Sequence, residues 1–263
     1  MKRNLSKLMA LTLISLPLVA HTSTAFAASG AVTAQQKVKK GFVTGKVVNA
    51  AGQPIVHATI YADNTLYYNT NVIGYTNEKG EYSLDIRQPA GTWNITAKMM
   101  LKYNGESIEI DLIPQNEDVV AGAAGGVRNF VYKPSETTYG NLGVVNVRTA
   151  LGFFPDINKV KVTLKPVGKL ADGTAGKTFT SGLTNTADGY IIKNVMYGTY
   201  DVTVTLDGKP LFVKKAASGG PDTPFQKSFR GGFWKDFYSI RPVMWLEISD
   251  DDCPDILQSC QGK

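Results

Sequence analysis

The chain has few of the side chains on which covalent and metal chemistry depend. Among its 263 residues are two histidines, His21 and His57, and two cysteines, Cys253 and Cys260. Protein zinc sites are built from clusters of histidine and cysteine, and no such cluster can be assembled here. The nucleophile motif G-x-S-x-G is also missing, so the sequence does not indicate a serine hydrolase that uses His57. We predict no catalytic residue, no metal site and no cofactor.

Carboxylates leave two alternatives open. A glycosidase needs only two acids about 5 to 9.5 Å apart, so this alternative stays open at the level of the sequence. Asp250, Asp251 and Asp252, with Asp255, could offer oxygen ligands to calcium. Their spacing lacks the D-x-D-x-D-G pattern, so we favour a solvated acidic tail over residues 250–263.

Long apolar runs are confined to the N-terminus. The segment LMALTLISLPLVA (8–20) follows three basic residues and precedes the small-x-small sequence Ala25-Phe26-Ala27. It is shorter than the ~20 residues that span a bilayer. The pattern predicts a signal peptide over 1–27, cleaved from a secreted protein that lies outside the cell, on its surface or in the periplasm. We expect no membrane span.

The chain without its signal peptide has little excess charge, with 25 Lys and Arg against 22 Asp and Glu. A nucleic-acid partner is therefore not expected. Residues 28–40 are small and polar and predict a flexible leader. In an exported protein, two cysteines at short spacing favour a disulfide, which we predict between Cys253 and Cys260.

Glycine and β-branched residues are abundant, and helical periodicity is hard to find after residue 27. This composition predicts an all-β fold. The phrase TNEKGEYSLDIRQPAGTWNITA begins at Thr76, and a similar phrase, TNTADGYIIKNVMYGTYDVTV, begins at Thr184. Because the interval matches one β-sandwich of ~100 residues, we predict two tandem sandwiches, over 41–134 and 141–249.

Alternation along the first half predicts which side chains share a strand face. We expect a tight hairpin turn from Asn77 to Gly80 and a second hairpin at Asn104-Gly105. The segment from Thr65 to Thr76 reads as a loop or an edge strand. Three sets are each predicted to share one strand face: Ala58, Ile60 and Ala62; Tyr82, Leu84 and Ile86; and Trp93, Ile95 and Ala97. The tyrosine, the tryptophan and several of the aliphatic side chains are expected to be buried.

Three motifs in the first half occur in the order of a known family. GKVVNAAGQPIVHATIYA, TNEKGEYSL and PAGTWNITA together resemble the carboxypeptidase regulatory-like domain, over Gly41 to about Lys133. Asn77 stands where that family often has aspartate. The resemblance implies a prealbumin-like Greek-key sandwich. It does not imply peptidase activity, since this domain is not the peptidase and no H-x-x-E motif occurs.

The second half matches only the later motifs of that family. It also resembles the collagen-adhesin B-type repeats of surface proteins, some of which carry a Lys–Asn isopeptide bond. The resemblance makes Lys161 or Lys165 a candidate for such a bond, although the acid-bearing final strand is not recognisable.

Aromatic residues are the candidate ligand contacts. No simple period runs through those between Phe225 and Trp245, so they cannot all face one core. An exposed subset could stack on sugar rings. Alternatively, Phe229, Phe237 and Trp245 pack between the sandwiches. The ligand-binding candidates are Tyr67, Tyr68, Phe229, Phe233 and Trp234.

These observations favour a secreted, non-catalytic binding or adhesion module. The expected partner is a polysaccharide or surface glycan. The alternative is a structural or protein–protein interaction module of an extracellular assembly, with another extracellular protein as its partner.

Overall fold

The computed structural model describes residues 37–216, 223–235 and 241–254. The predicted signal peptide and most of the leader lie outside these ranges. The described residues are strands and loops, with one short 3-10 helix at Ile157–Lys159. None of their helices has the length and apolar character needed to cross a membrane. The predicted all-β class is confirmed.

The first ten strands form two sheets. They are β1 (Phe42–Asn49), β2 (Thr59–Asn64), β3 (Asn71–Tyr75), β4 (Glu81–Asp85), β5 (Thr92–Tyr103), β6 (Glu106–Asp111), β7 (Ile113–Pro114), β8 (Val120–Ala121), β9 (Gly126–Val127) and β10 (Phe130–Tyr132). One sheet has the order β4-β1-β10-β7, in which β1 is antiparallel to β4 and parallel to β10. The other has the order β3-β2-β5-β6 and is antiparallel along that path. The short strands β8 and β9 pair with β5 and β1.

The remaining strands form one continuous sheet. They are β11 (Gly143–Thr149), β12 (Val160–Val167), β13 (Phe179–Ser181), β14 (Thr184–Thr186), β15 (Gly189–Val195), β16 (Thr199–Leu206), β17 (Lys209–Lys215), β18 (Phe229–Gly231) and β19 (Val243–Ser249). The order is β13-β12-β16-β17-β19-β11-β15-β14, with β18 beside β16. Strand β17 pairs with β16 through residues 209–211 and with β19 through residues 212–215. It thereby links what would otherwise be two sheets.

The two halves repeat one strand order. In the first half, β4-β1-β10 and β3-β2-β5-β6 correspond to β15-β11-β19 and β13-β12-β16-β17 in the second. The repeated sequence phrases fall on equivalent strands, β4 and β5 in one half and β15 and β16 in the other. Strand pairing between the halves is not found among the described strands. This correspondence favours an internal duplication. The division into two domains near Pro134 to Asn141 stays a prediction.

The predicted strand faces of the first half are confirmed. All nine side chains are buried, and they form one hydrophobic core with β1 and β10 residues. Trp93 is the largest of them and is fully buried. At ~1.5–3 kcal/mol for each large side chain, this set drives the closure of the two sheets over one another.

The predicted hairpin turn at Asn77 is wrong, because β3 and β4 belong to different sheets. Asn77 still caps the turn, since its Oδ1 accepts hydrogen bonds from the backbone N–H groups of Lys79 (2.9 Å) and Glu81 (3.0 Å). The Thr76 hydroxyl donates to the Ile55 carbonyl at 2.7 Å. The chain therefore arches between sheets here. The hairpin at Asn104-Gly105 is confirmed, with both residues at positive φ.

Tyr103, at the end of β5, joins the two halves. Its hydroxyl donates to the Gly198 carbonyl (3.1 Å) and accepts from the Phe233 N–H (3.1 Å). Its ring lies 5.7 Å from that of Tyr197 and 6.2 Å from that of Phe233. A Cβ at Gly232 would collide with this hydroxyl, so the close approach requires glycine. The core of the second half also contains first-half side chains, namely Leu101, Ile108 and Ile110.

The segment between β10 and β11 is held by the buried side chain of Asn141. Its Nδ2 donates to the carbonyls of Asp111 and Lys133, each at 3.0 Å. Its Oδ1 accepts from the Ser135 N–H at 2.9 Å, and its own N–H donates to Asn194 Oδ1 at 3.1 Å. The segment between the two predicted sandwiches is thus fastened to strands of both halves.

We expect Tyr103→Phe to reduce the free energy of unfolding by about 1–3 kcal/mol, because it leaves a half-buried carbonyl and N–H without their partner. Denaturant titration of the chain without its signal peptide measures this difference. The matched control is Tyr68→Phe at a fully exposed tyrosine, which should stay within about 0.5 kcal/mol of the parent. Equal stability of the two variants would contradict a junction through Tyr103.

Candidate ligand-binding groove

A groove lies on the outer face of β11, β15 and β19. Alternation along β11 sends Val145 and Val147 into the core and leaves Asn146 and Arg148 on the opposite face. Trp245 lies on the same outer face of β19, between two core residues. The parallel register places Asn146 directly beside Trp245. Two segments about a hundred residues apart therefore build one surface.

The groove is open to solvent and has a volume of about 750 Å³, within the range of ~300–1,000 Å³ typical of small-ligand sites. Its walls are the apolar residues of three adjacent strands, together with aromatic, amide, carboxylate and guanidinium groups. The polar and aromatic lining residues include Tyr139, Asn146, Arg148, Asp188, Tyr190, Arg241 and Trp245. We call this set the outer groove.

A hydrogen-bond network joins one wall of the outer groove. The Asn146 side-chain amide donates to the backbone carbonyl of Asp188 at 2.9 Å. The Tyr139 hydroxyl donates to the Asp188 carboxylate, which raises the pKa of the tyrosine because ionisation would lose this bond and create two like charges. Arg241 Nη2 lies 3.4 Å and 3.3 Å from the carbonyls of Tyr139 and Gly140.

The groove carries two guanidinium groups. Arg148 lies over the Trp245 ring, with its Cζ 4.7 Å from the ring centroid. Its neighbour in the ladder, Glu247, has its carboxylate 4.0 Å from Lys214 Nζ. Within the described ranges, neither Arg148 nor Arg241 forms an ion pair with a carboxylate. The positive charge in the groove is only partly balanced, by Asp188.

The predicted ligand residues lie elsewhere. Phe233 is 2% exposed and packs in the second core against Tyr197 and Tyr200, so its ring is closed to a ligand. Phe229 and Trp234 are half-buried against the same core. These three rings therefore do not form an open surface on which a sugar could stack, and Phe233 does not line the outer groove. Phe237 lies outside the described residues.

Tyr67 and Tyr68 are exposed in the loop between β2 and β3, and Tyr68 is 100% exposed. They do not line the outer groove. Trp245, which in one of the two alternatives from the sequence packs between the sandwiches, lines the outer groove.

The remaining sequence predictions concern covalent and metal sites. Lys161 and Lys165 are exposed on β12, pointing away from the core. Cys260 and Asp255 lie outside the described residues, so the disulfide with Cys253 stays a prediction. Where the chain is described, no group of three or more His, Cys, Asp or Glu side chains could hold a metal ion.

Sequence reasoning missed most of the outer groove. The sequence feature that could have found it is the alternation in VVNVRT and VMWLEIS. This alternation puts Asn146, Arg148 and Trp245 on the strand face opposite to the core residues between them. Alternation does not say which strands are neighbours, and the parallel pairing of β11 with β19 was not predicted.

No family model and no curated protein matches the chain. Among solved structures, it is similar to the TIE protein of Bacillus anthracis, with 15% identity and a TM-score of 0.30 over 78% of this chain and 33% of that chain. It is also similar to the C-terminal fragment of the pilus adhesin SpaC from Lactobacillus rhamnosus GG, with 11% identity and a TM-score of 0.22 over 80% and 97% of the two chains.

The chain spans about a third of the TIE chain that it matches. Both TM-scores are below 0.5, so these likenesses carry no conclusion about fold type or function. Membership of the carboxypeptidase regulatory-like family and the prealbumin-like type of the sandwiches stay predictions.

We expect Asp188→Asn to lower the pKa of the Tyr139 hydroxyl toward the ordinary value of a tyrosine, because the acceptor loses its charge. A spectrophotometric titration of the variant, compared with Tyr139→Phe to isolate this residue, measures the shift. Asp207→Asn, at an exposed aspartate on another turn, is the control. An unchanged Tyr139 pKa in Asp188→Asn would contradict the interaction between the Tyr139 hydroxyl and the Asp188 carboxylate.

Proposed function

We propose that the chain is a secreted, non-catalytic binding module that takes a carbohydrate in its outer groove. The observation that carries the proposal is the combination of three half-buried aromatic rings with amide, carboxylate and guanidinium groups in one cavity. The three rings are those of Tyr139, Tyr190 and Trp245. Secretion rests on the signal-peptide pattern of the sequence.

Aromatic rings and polar groups suit a sugar for separate reasons. The C–H face of a pyranose is flat and apolar and packs on an aromatic plane, while its hydroxyls need partners that donate and accept. Asp188 accepts, and the two tyrosine hydroxyls can donate or accept. Asn146 is 3% exposed, and its amide holds the backbone of Asp188 in place. A purely apolar ligand would leave these groups without water and without partners, which costs free energy.

The arginines favour an acidic sugar over a neutral one. A guanidinium presents a planar fork of donors that matches a carboxylate. Arg148 and Arg241 both line the cavity without a carboxylate partner in the described ranges. A uronic acid or another carboxylated sugar would supply that partner. Its binding should weaken as salt concentration rises.

Catalysis is not part of the proposed role. Hydrolysis of a glycosidic bond uses two carboxyl groups on opposite sides of the bond. Asp188 is the single carboxylate among the described residues that line the outer groove, and its partner is Tyr139. The groove therefore holds a sugar without supplying the acid and base of a glycosidase.

We expect the double variant Arg148→Gln/Arg241→Gln to bind an oligouronate at least tenfold more weakly than the parent, which corresponds to about 1.4 kcal/mol. Isothermal titration calorimetry with a defined oligogalacturonate measures this loss. The control is Arg87→Gln/Arg230→Gln, which removes the same charge from exposed residues outside the outer groove.

Equal losses of affinity in the two double variants would show a non-specific charge effect and contradict binding in the outer groove. If the parent binds neither the oligouronate nor neutral oligosaccharides, the carbohydrate assignment is wrong. The module is then a structural or protein-binding one, which is the alternative that the sequence left open.

A further inference from the structure

Strand β3 is the open edge of its sheet. It pairs with β2 on one side, from Asn71 opposite Asp63 to Tyr75 opposite Thr59. No described strand pairs with it on the other side. The edge belongs to the first half and the outer groove to the second, so any role of this edge is independent of the proposed carbohydrate site.

The ladder shows which backbone groups of β3 are free. Antiparallel strands alternate between residue pairs that exchange hydrogen bonds and pairs that do not. The Asn64 N–H donates to the Thr70 carbonyl (2.9 Å) and the Thr76 N–H donates to the Ala58 carbonyl (3.0 Å). Every second residue from 70 to 76 therefore turns its backbone to β2. The residues between them turn N–H and C=O to the open edge, and these are Asn71, Ile73 and Tyr75.

Other sheet edges are protected where β3 is not. Natural proteins guard edge strands with charges, prolines or short length. Strand β4 carries Glu81 and Asp85 on its exposed face, β6 carries three acids, and β13 and β14 have three residues each. The sequence of β3, NVIGY, has no charge and no proline. It is the least guarded of these edges.

Strand β3 itself carries exposed apolar side chains. Ile73 is 48% exposed and Tyr75 is 64% exposed, both on the outer face of β3. The preceding loop adds three more exposed apolar side chains, which are Leu66, Tyr67 and Tyr68. Exposed apolar side chains next to free backbone donors and acceptors are typical of a strand-pairing surface.

We propose that two copies of this chain pair through β3, antiparallel and centred on Ile73. In this register Ile73 lies opposite Ile73 of the second copy, and Asn71 lies opposite Tyr75. The three residues with free backbone groups on each side then face one another and form about six hydrogen bonds. The strand is complementary to itself, since it has no charge to repel its copy. The contact is a closed two-fold interface.

Sedimentation of the chain without its signal peptide over a concentration series tests the proposal. We expect a concentration-dependent monomer–dimer equilibrium in the parent. Ile73→Lys places two like charges face to face at the centre of the interface and should weaken dimerisation at least tenfold. The control Leu151→Lys adds the same charge at a 70%-exposed leucine on another loop and should dimerise like the parent.

Far-UV circular dichroism shows whether each variant is folded. If Ile73→Lys does not fold, the sedimentation experiment uses Tyr75→Lys instead. A parent that stays monomeric at millimolar concentration overturns the proposal, whatever else binds the edge. So does a folded Ile73→Lys or Tyr75→Lys that dimerises as the parent does.

Discussion

The parallel ladder between β11 and β19 is the constraint on which the outer groove depends. It runs from Val144 opposite Val243 to Thr149 opposite Ile248. Every second side chain on each strand is buried in the second core, and those residues fix the register because a shift of one would turn them to solvent. Once the inward residues are fixed, so are the outward ones. The neighbours Asn146 and Trp245 follow from the packing of Val145 and Leu246.

The two halves use one strand plan for different surfaces. In each half a parallel pair, β1 with β10 or β11 with β19, lies beside an antiparallel strand of the repeated phrase. In the second half β17 runs continuously from one face of the sandwich to the other, whereas the first half uses two shorter strands, β6 and β7. The ends of β5 and β6 pack into the second core through Leu101, Ile108 and Ile110. Shared packing around Tyr103 thus ties the halves together.

Local features of the fold could be predicted from the sequence, and long-range ones could not. Alternation identified the buried faces around Ile60, Leu84 and Trp93, because one side of each strand must be apolar. The duplicated phrases identified β4 and β15 as equivalent. The turn at Asn77 has the composition of a hairpin, but the choice between a hairpin and an arch depends on which sheet the next strand joins. That choice is made by tertiary packing.

The candidate site was harder to predict for the same reason. The aromatic-rich segment predicts a ligand contact at Phe233, whose ring packs in the second core instead. The groove residues are single polar or aromatic positions on β11, β15 and β19, and none of them stands out in the sequence by itself. Only strand pairing brings Arg148 over Trp245 and Asn146 against Asp188.

NMR titration of the chain with an oligouronate tests most directly whether the outer face of the β11–β19 ladder is a binding surface. We expect the resonances of the Trp245 indole N–H and the Asn146 side-chain amide to shift together, with the first half unaffected. Shifts confined to the loop of Tyr67 and Tyr68, or none in the groove at saturating ligand, would contradict a binding role for this face.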